Sequence, residues 1–378
     1  TLIQLWVGFL SICASYPKAN IWIIPSVESP QVYRNYAQTS KVHLEMARGE
    51  VEHIQLVFPS KVNEEYRFTF DRYLKGIQIS ARELKKMNGY YDALVPFKNQ
   101  LKCTDTLTAV WITVQCPSRV PVGKYHQTIK IEGSKHFTIQ LDYNVHHTTI
   151  PLKSSIPITV GVENRCMTEC LNDKEADKER QRWVDFVLSY RMTPVFGTQI
   201  TPERWQYEHS FSPWAWNDKR SIRLLNDRRY SCYMLPFFTL SENELASLLC
   251  NIQKKGKLKE SLFYIWDEPA YMEDYEQIKR KVNIIRKYAS DARILTTFFC
   301  GPRNGPRKGD LYAVFDYLKH HIHVATISLA PCKGNEEEVQ HIRYKVPEGI
   351  DWWSYVCWQP GGNCLLYTSP SPRDGLLS

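Results

Sequence analysis

The hydrophobic period of the chain changes near Pro157, and this change limits the possible folds more than any other feature. Before it, apolar and polar residues alternate in short segments, as in HFTIQLDYNVH at 136–146. After it, short apolar segments alternate with stretches whose apolar residues recur at helical spacing. Alternation with a period of two predicts strands, and a period near 3.6 predicts helices. The sequence therefore predicts an all-β part followed by an α/β part.

The first part, residues 20–147, predicts a β-sandwich. Seven strand-like segments occur in it: NIWIIPS, KVHLEMARG, EVEHIQLVFPS, YRFTF, TAVWITVQC, KYHQTIKIEG and HFTIQLDYNVH. Pro, Gly and Ser residues separate these segments, as is typical of a sandwich of roughly 125 residues. Residues 148–157, with two prolines and a Ser pair, are the predicted linker.

The second part, residues 158–362, predicts a (β/α)8 barrel of the TIM type without its last strand and helix. Seven strand segments follow one another here: ITVGVE, TPVFG, YSCYMLPFF, LFYIWDEP, ARILTTFF, HVATISLA and DWWSYVCW. Eight would close a barrel, and a barrel with seven would leave a sheet edge open and lose part of its mouth. No glycine-rich phosphate motif follows a strand, which disfavours a nucleotide-binding sheet.

Helices are predicted between these strands. One is DKEADKERQRWVDFVLSYR, and another begins at a capping box from Ser241 to Glu244. A third follows LFYIWDEP, and DLYAVFDYLKHH is a fourth. Their predicted buried residues are Trp183, Phe186, Val187 and Tyr190 in the first, Leu245, Leu248, Leu249 and Ile252 in the second, and Tyr275, Ile278, Val282 and Ile285 in the third.

The two ends of the chain differ from the rest. Residues 1–19 contain an uncharged apolar run, which predicts a partial secretory signal and a protein that is secreted or enters the lysosomal lumen; a buried first strand is the alternative. Residues 363–378 include LYTSPSPRD, which resembles a translated sequencing adapter and predicts an artefactual tail. A genuine Ser/Pro-rich tail is the alternative.

Composition restricts the partners. The net charge of +8 is spread without a long basic run, so no nucleic-acid partner is expected, and no stretch is apolar enough to predict a membrane span. Eleven cysteines without paired CxxC motifs favour disulfides over zinc. His146-His147 and His320-His321-Ile322-His323 are interpreted as solvated turn residues, so we expect neither a metal site nor a cofactor.

The segment YIWDEP at 264–269 contains two adjacent carboxylates at the end of the fourth predicted barrel strand, and this is the most specific catalytic motif in the sequence. Active sites of such barrels lie at the carboxyl ends of the strands, which makes Asp267 and Glu268 candidate catalytic residues. Both side chains can face the mouth only if the chain turns there. Two buried carboxyl groups in different surroundings can work as an acid and an anion. The alternative is an acidic helix start.

Aromatic residues form a second group of candidate site residues. Rings pack against the apolar faces of sugars, so aromatic residues near strand ends suit a carbohydrate site. The candidate substrate-binding residues are Glu163, Trp216, Trp266, Trp353, Tyr355 and Trp358. Core packing is the alternative for each tryptophan, and helix capping or a salt bridge for Glu163.

With these motifs the chain resembles glycoside hydrolase family 123. The resemblance is carried by YIWDEP at 264–269, WWSYVCWQP at 352–360, VPVGKYHQTIKI at 120–131 and ARGEVEHIQLVF at 47–58, and it spans about residues 20–362. It implies a retaining, substrate-assisted β-N-acetylgalactosaminidase that acts on glycans or glycoconjugates. It also implies that Glu268 protonates the leaving oxygen and that Asp267 stabilises the acetamido group. The chain as it stands, without an eighth strand, could be inactive. An N-acetylhexosaminidase of other specificity and a non-catalytic carbohydrate-binding protein are the alternatives.

Overall fold

The structure is a computed structural model, and it describes residues 20–71, 76–163, 170–201, 204–208, 219–235, 237, 240–269, 271–298, 317–328, 344 and 348–355. The chain divides into two compact units between Pro151 and Leu152. Both are rich in β-sheet.

The first unit contains two five-stranded sheets. In chain order the strands are β1 Trp22–Pro25, β2 Lys41–Arg48, β3 Glu50–Pro59, β4 Glu65–Phe70, β5 Gln78–Met87, β6 Tyr90–Pro96, β7 Gln100–Lys102, β8 Leu107–Cys116, β9 Gly123–Glu132 and β10 His136–Thr149. One sheet has the order β1-β3-β8-β5-β6 and the other β2-β10-β9-β4-β7. Neighbouring strands are antiparallel except β2 and β10, which are parallel.

One buried cluster draws its residues from both sheets of the first unit. It contains Leu56 and Ile112 from the first sheet and Ile129 and Ile139 from the second, all with no exposed surface. The alternation along β10 explains this, because Phe137, Ile139, Leu141, Tyr143 and Val145 share one face and are buried. The two sheets therefore share one hydrophobic core.

A β-hairpin that the sequence analysis missed joins β5 and β6. Asn88 and Gly89 connect the two strands with φ of +52° and +88°. Both residues are left-handed, which is the requirement of a type I′ turn, and Asn-Gly is its preferred sequence. Strand β7 was also missed.

The second unit contains parallel strands separated by helices. The strands are β11 Thr159–Glu163, β12 Thr193–Thr201, β13 Arg204–Glu208, β14 Tyr233–Leu235, β15 Ser261–Trp266, β16 Arg293–Phe298, β17 Val324–Ser328 and β18 Asp351–Tyr355. The helices are α1 Asp173–Ser189, α2 Lys219–Asn226, α3 Glu242–Lys254 and α4 Met272–Tyr288. All seven predicted strands of this part are present, whereas β13 and α2 were not predicted. Most of the predicted helix DLYAVFDYLKHH lies outside the described residues.

Five of these strands, in the order β14-β15-β16-β17-β18, form an all-parallel sheet. Strands β11 and β12 are also parallel to each other, and β13 pairs antiparallel with β12. A buried hydrogen bond between the hydroxyls of Thr193 and Ser231, at 3.0 Å, joins the start of β12 to the segment before β14.

Strands β14 to β17 bury both of their faces. One face, here called the helix face, packs Phe263, Ile294 and Ile327 against side chains of the four helices. The opposite face carries a smaller cluster: Val195, Cys232, Met234, Leu262, Tyr264, Leu295 and Val324, with Trp353 packed against it. Burial on both faces is typical of parallel sheets and explains why these strands are continuous apolar runs.

The apolar stripe predicted for α1 is wrong in part. Trp183, Phe186 and Tyr190 are 40%, 55% and 53% exposed, and the rings contact one another at centroid distances of 5.8 and 5.2 Å. Of the predicted residues, Val187 is buried, and the helix also buries Ala176, Val184 and Leu188. Both stripes have helical spacing, so the period alone could not choose between them. The predicted stripes of α3 and α4 are correct.

The described cysteines do not support the predicted disulfides. Cys103, Cys116, Cys170, Cys232 and Cys250 are all free thiols, and the other six lie outside the described residues. Three of the five are buried, and burial raises the pKa of the Cys232 thiol to about 11. Among the helices that the structure describes, none has the length and hydropathy to cross a membrane.

We expect Leu188→Ala to destabilise the second unit much more than Phe186→Ala. Leu188 is 1% exposed in the core, so its truncation should cost about 2–5 kcal/mol through lost burial and a cavity. Phe186 is more than half exposed, and its removal should cost no more than about 1 kcal/mol. Urea unfolding of the two variants beside the unmodified protein measures the difference. Equal losses would mean that the aromatic stripe is the buried one.

Candidate functional site

The candidate site lies where β15 ends, in the parallel sheet of the second unit. All six residues of β15 are buried, and β14 and β16 flank the strand. The strand is followed by Asp267 and Glu268, both partly buried, and then by Pro269. A central parallel strand presents its carboxyl end at the edge where ligands bind in α/β sheets.

A bulge in β15 determines where Asp267 points. Tyr264 pairs with Leu295, but Trp266 pairs with Thr296, so one residue of β15 has no counterpart on β16. Ile265 and Trp266 both belong to the cluster on the helix face. Because a bulge places one additional residue in a strand, the next residue, Asp267, returns to the face of Tyr264. The hydrogen bond between these two side chains is direct evidence of this arrangement.

The backbone then turns at Glu268, as the sequence analysis required for two adjacent carboxylates. Glu268 has φ of +46°, in the left-handed region. For a residue with a β-carbon this conformation costs of order 1–3 kcal/mol. Such strain persists only when neighbouring contacts hold the residue in place, and it is often found at functional sites.

The helix-start interpretation does not describe Asp267 and Glu268. Helix α4 begins at Met272, with Tyr271 as its N-cap residue and Glu273 and Asp274 in its first turn. Asp274 accepts the backbone N–H of Tyr271 at 3.1 Å and so caps the helix. The helix therefore has its own acidic residues, and the pair at 267–268 belongs to the end of the strand.

Two hydroxyl groups hold Asp267 by the same oxygen. The phenol of Tyr264 donates to Oδ1 of Asp267 at 2.6 Å, and Oγ1 of Thr297 donates to the same Oδ1 at 2.9 Å. Tyr264 and Thr297 are 3% and 7% exposed. Two buried donors on one oxygen fix the carboxylate and leave its Oδ2 without a hydrogen bond from the described residues.

Glu268 is held by two other contacts. Its backbone N–H donates to Oγ1 of Thr297 at 3.0 Å, and the phenol of Tyr355 donates to its Oε1. Tyr355 is the last residue of β18 and faces Ser328 of β17 in the sheet register. Burial, followed by the hydrogen bond to Glu268 and the charge of that residue, raises the pKa of the Tyr355 phenol far above its usual range. The phenol is therefore a neutral hydrogen-bond donor at physiological pH.

The structure brings together Asp267, Glu268 and Tyr355, and it places Trp353 in the same cluster as Tyr264. Trp266, 6% exposed, lies in the core cluster on the helix face. The side chain of Glu163 and the residues Trp216 and Trp358 lie outside what the structure describes. Sequence reasoning missed Tyr264 and Thr297, although both stand in the segments it identified as strands.

Histidines of both groups form contacts with neighbouring residues. No group of three or more His, Cys, Asp or Glu side chains there is arranged to hold an ion. His146 lies in β10 and pairs with Glu45, and Nδ1 of the partly buried His323 accepts the backbone N–H of Ile294 at 3.2 Å. These contacts are structural, and for His323 they replace the predicted solvated turn.

Comparison with known proteins identifies a shared fold. The sequence matches no family model and no curated protein. The structure is similar to that of a family 123 glycoside hydrolase from Clostridium perfringens, described for glycolipid glycan hydrolysis, with a TM-score of 0.55, 13% identity, and coverage of 92% of this chain and 74% of that one. The chain shares the fold of a family 123 glycoside hydrolase.

Other glycoside hydrolases give weaker matches. Xylanase 10C of Cellvibrio japonicus matches with a TM-score of 0.37 and 11% identity, over 94% of this chain and 82% of that one. A family 2 glycosyl hydrolase from Bacteroides cellulosilyticus matches with a TM-score of 0.27 and 12% identity, over 82% and 44%.

We predict that Tyr355 does not ionise in the pH range of an ordinary tyrosine, which titrates near about pH 10. Its contribution to stability should be complete below that pH. The contribution should then be lost as the pH rises, because the unfolded chain ionises first. Subtracting the near-ultraviolet titration of Tyr355→Phe from that of the unmodified protein should show no tyrosinate step up to about pH 11. A step near pH 10 in this difference would mean that the phenol is solvated and not bound to Glu268.

Proposed function

We propose that this protein is a glycoside hydrolase that removes β-linked N-acetylgalactosamine by a retaining, substrate-assisted mechanism. The observation that carries the proposal is the pair Asp267–Glu268, turned toward one side of the sheet and held by different hydroxyl groups. The fold shared with a family 123 glycoside hydrolase supports a glycosidase in general. The choice of N-acetylgalactosamine rests on the resemblance to family 123, and the chemistry of the pair supports only the substrate-assisted mechanism.

Adjacent carboxylates suit a reaction at two neighbouring atoms of one sugar ring. Consecutive α-carbons are about 3.8 Å apart, so the two side chains can reach the 2-acetamido group and the leaving oxygen on C1. In the first step the acetamido oxygen attacks C1 and the glycosidic bond breaks. Glu268 transfers its proton to the leaving oxygen. Asp267, through Oδ2, accepts the acetamido N–H and stabilises the positive oxazolinium ion.

In the second step water attacks C1 from the side of the departed group and opens the ring of the intermediate. Glu268, now a carboxylate, takes a proton from this water. Two inversions at C1 give net retention, and no protein nucleophile is needed, as in other substrate-assisted families. The enzyme neither gains nor loses a proton over the two steps, because Glu268 is protonated again at the end of the cycle.

We also propose that the first unit is a β-sandwich and the second a (β/α)8-type barrel. The shared core of the two sheets supports the sandwich. Two parallel strands in one sheet and five in another, with helices on one face, support the barrel, as does one apolar cluster reaching from β12 to β18 on the other face. The position expected for an eighth strand, after Tyr355, lies outside the described residues.

We predict that Glu268→Gln lowers turnover of a β-GalNAc glycoside with an alkyl or sugar leaving group by about 10²–10⁴-fold, the usual contribution of general acid catalysis. A nitrophenyl glycoside needs little protonation and should be affected much less. Asp267→Asn should slow both substrates alike, because the acetamido attack comes before the leaving group matters. Glu273→Gln, an exposed acidic residue of the first turn of α4, is the matched control and should change neither rate.

The same assays separate the alternatives. Faster cleavage of GlcNAc than of GalNAc glycosides would indicate an N-acetylhexosaminidase of other specificity. Binding of GalNAc glycosides without turnover would indicate a carbohydrate-binding protein. If a 2-hydroxy galactoside were cleaved as fast as the GalNAc glycoside, or if Asp267→Asn were fully active, substrate assistance at this site would be wrong.

A further inference from the structure

The side chain of Thr297 forms hydrogen bonds with both members of the carboxylate pair. It belongs to β16, some 30 residues along the chain from Asp267. Its Oγ1 donates its single proton to Oδ1 of Asp267 at 2.9 Å and accepts the backbone N–H of Glu268 at 3.0 Å. A hydroxyl can do both at once because it has one proton and two lone pairs.

Thr297 contacts Asp267 and Glu268 where the backbone after β15 departs from regular strand geometry. The bulge in β15 and the left-handed φ of Glu268 remove both residues from the regular ladder. A buried backbone N–H outside a ladder needs another acceptor, and Thr297 supplies it. The side chain is 7% exposed, and the branched β-carbon of threonine restricts its rotamer. The Thr297 hydroxyl therefore has a fixed position relative to Asp267 and Glu268.

We propose that Thr297 is a positioning residue that sets Asp267 and Glu268 relative to each other. The expected effect on catalysis rests on the proposed function, whereas the expected effect on the position of the two residues does not. By binding Oδ1 from the strand side together with Tyr264, Thr297 directs Oδ2 of Asp267 away from the sheet. By accepting the N–H of Glu268, it holds the turn that places the acid beside Asp267.

The strand offers a matched control in the preceding residue. Thr296 is fully buried, faces the other side of β16, and its Oγ1 has no hydrogen-bond partner among the described residues. Thr296→Val and Thr297→Val make the same isosteric change on the same strand. Replacing a hydroxyl without a partner by a methyl group is nearly neutral or stabilising, so Thr296→Val reports the effect of the substitution itself.

The experiment compares Thr297→Val, Thr297→Ser and Thr296→Val with the unmodified protein in two measurements. The first is kcat and KM for a nitrophenyl β-GalNAc glycoside. Displacement of a catalytic group by about 1 Å can cost about 10²-fold, so Thr297→Val should lower kcat by about that factor with a smaller change in KM. Thr297→Ser keeps the hydroxyl and should retain kcat within about fivefold. Thr296→Val should be unchanged within about twofold.

The second measurement does not depend on activity. Hydrogen exchange of the Glu268 amide, followed by mass spectrometry of peptides covering 264–269, should be at least about tenfold faster in Thr297→Val, because the bond that protects the amide is gone. Exchange in Thr297→Ser and Thr296→Val should match that of the unmodified protein. Circular dichroism confirms that each variant is folded.

The two readouts separate the failure of this inference from the failure of the proposed function. If the unmodified protein cleaves no hexosaminide, the proposed function is wrong, and amide exchange alone decides whether Thr297 positions Glu268. If Thr297→Val is as active as the unmodified protein, or exchanges its Glu268 amide at the same rate, Thr297 does not position the pair. A loss of activity in Thr296→Val equal to that in Thr297→Val would also overturn the inference, because it would reflect packing of β16.

Discussion

The candidate site depends on the bulge that separates Tyr264 from Trp266 in β15. In a regular strand the side chains alternate, so Tyr264 and Trp266 would share one face and Asp267 would point to the other. That other face is packed against helices, where an unpaired carboxylate would carry a large desolvation cost. With the bulge, Trp266 fills the core and Asp267 joins Tyr264 and Thr297. The one additional residue of the bulge therefore places the ring of Trp266 in the core and the carboxylate of Asp267 on the opposite face of the sheet.

The sequence predicted those parts of the fold that depend on local pattern. Strands buried on both faces appear as apolar runs, and the capping box Ser241–Glu244 forms as predicted, with Glu244 accepting the Ser241 N–H at 2.8 Å. The hairpin at Asn88–Gly89 could also have been predicted, because the dipeptide is the strongest short hairpin signal. Helix α1 could not be oriented in this way, since Trp183 and Leu188 lie on different stripes of similar spacing and only the tertiary core selects one.

The carboxylates and Tyr355 were predictable as site residues, but the contacts that hold the carboxylates were not. Asp267 and Glu268 are adjacent in the sequence and follow an apolar strand, so the pattern alone identifies them. Thr297 and Tyr355 reach them from β16 and β18, and nothing in the sequence states the register between these strands. The burial of Trp266 on the helix face could not be predicted for the same reason, because a bulge depends on pairing with the neighbouring strand. Contacts across strands are thus the information that the sequence alone lacks.

The choice of hydroxyl partners fits the different requirements of the two carboxylates. In the proposed mechanism Asp267 stabilises an oxazolinium ion, and an ion pair with lysine or arginine would neutralise the charge that this requires. In the described part of the chain no cation pairs with Asp267. Hydroxyl donors orient this carboxylate and leave its net charge unchanged. In the proposed mechanism Glu268 alternates between acid and base, and a tyrosine hydroxyl can donate to a carboxylate and accept from a carboxylic acid. The contact from Tyr355 can therefore persist through both steps, which a purely donating partner such as lysine could not do.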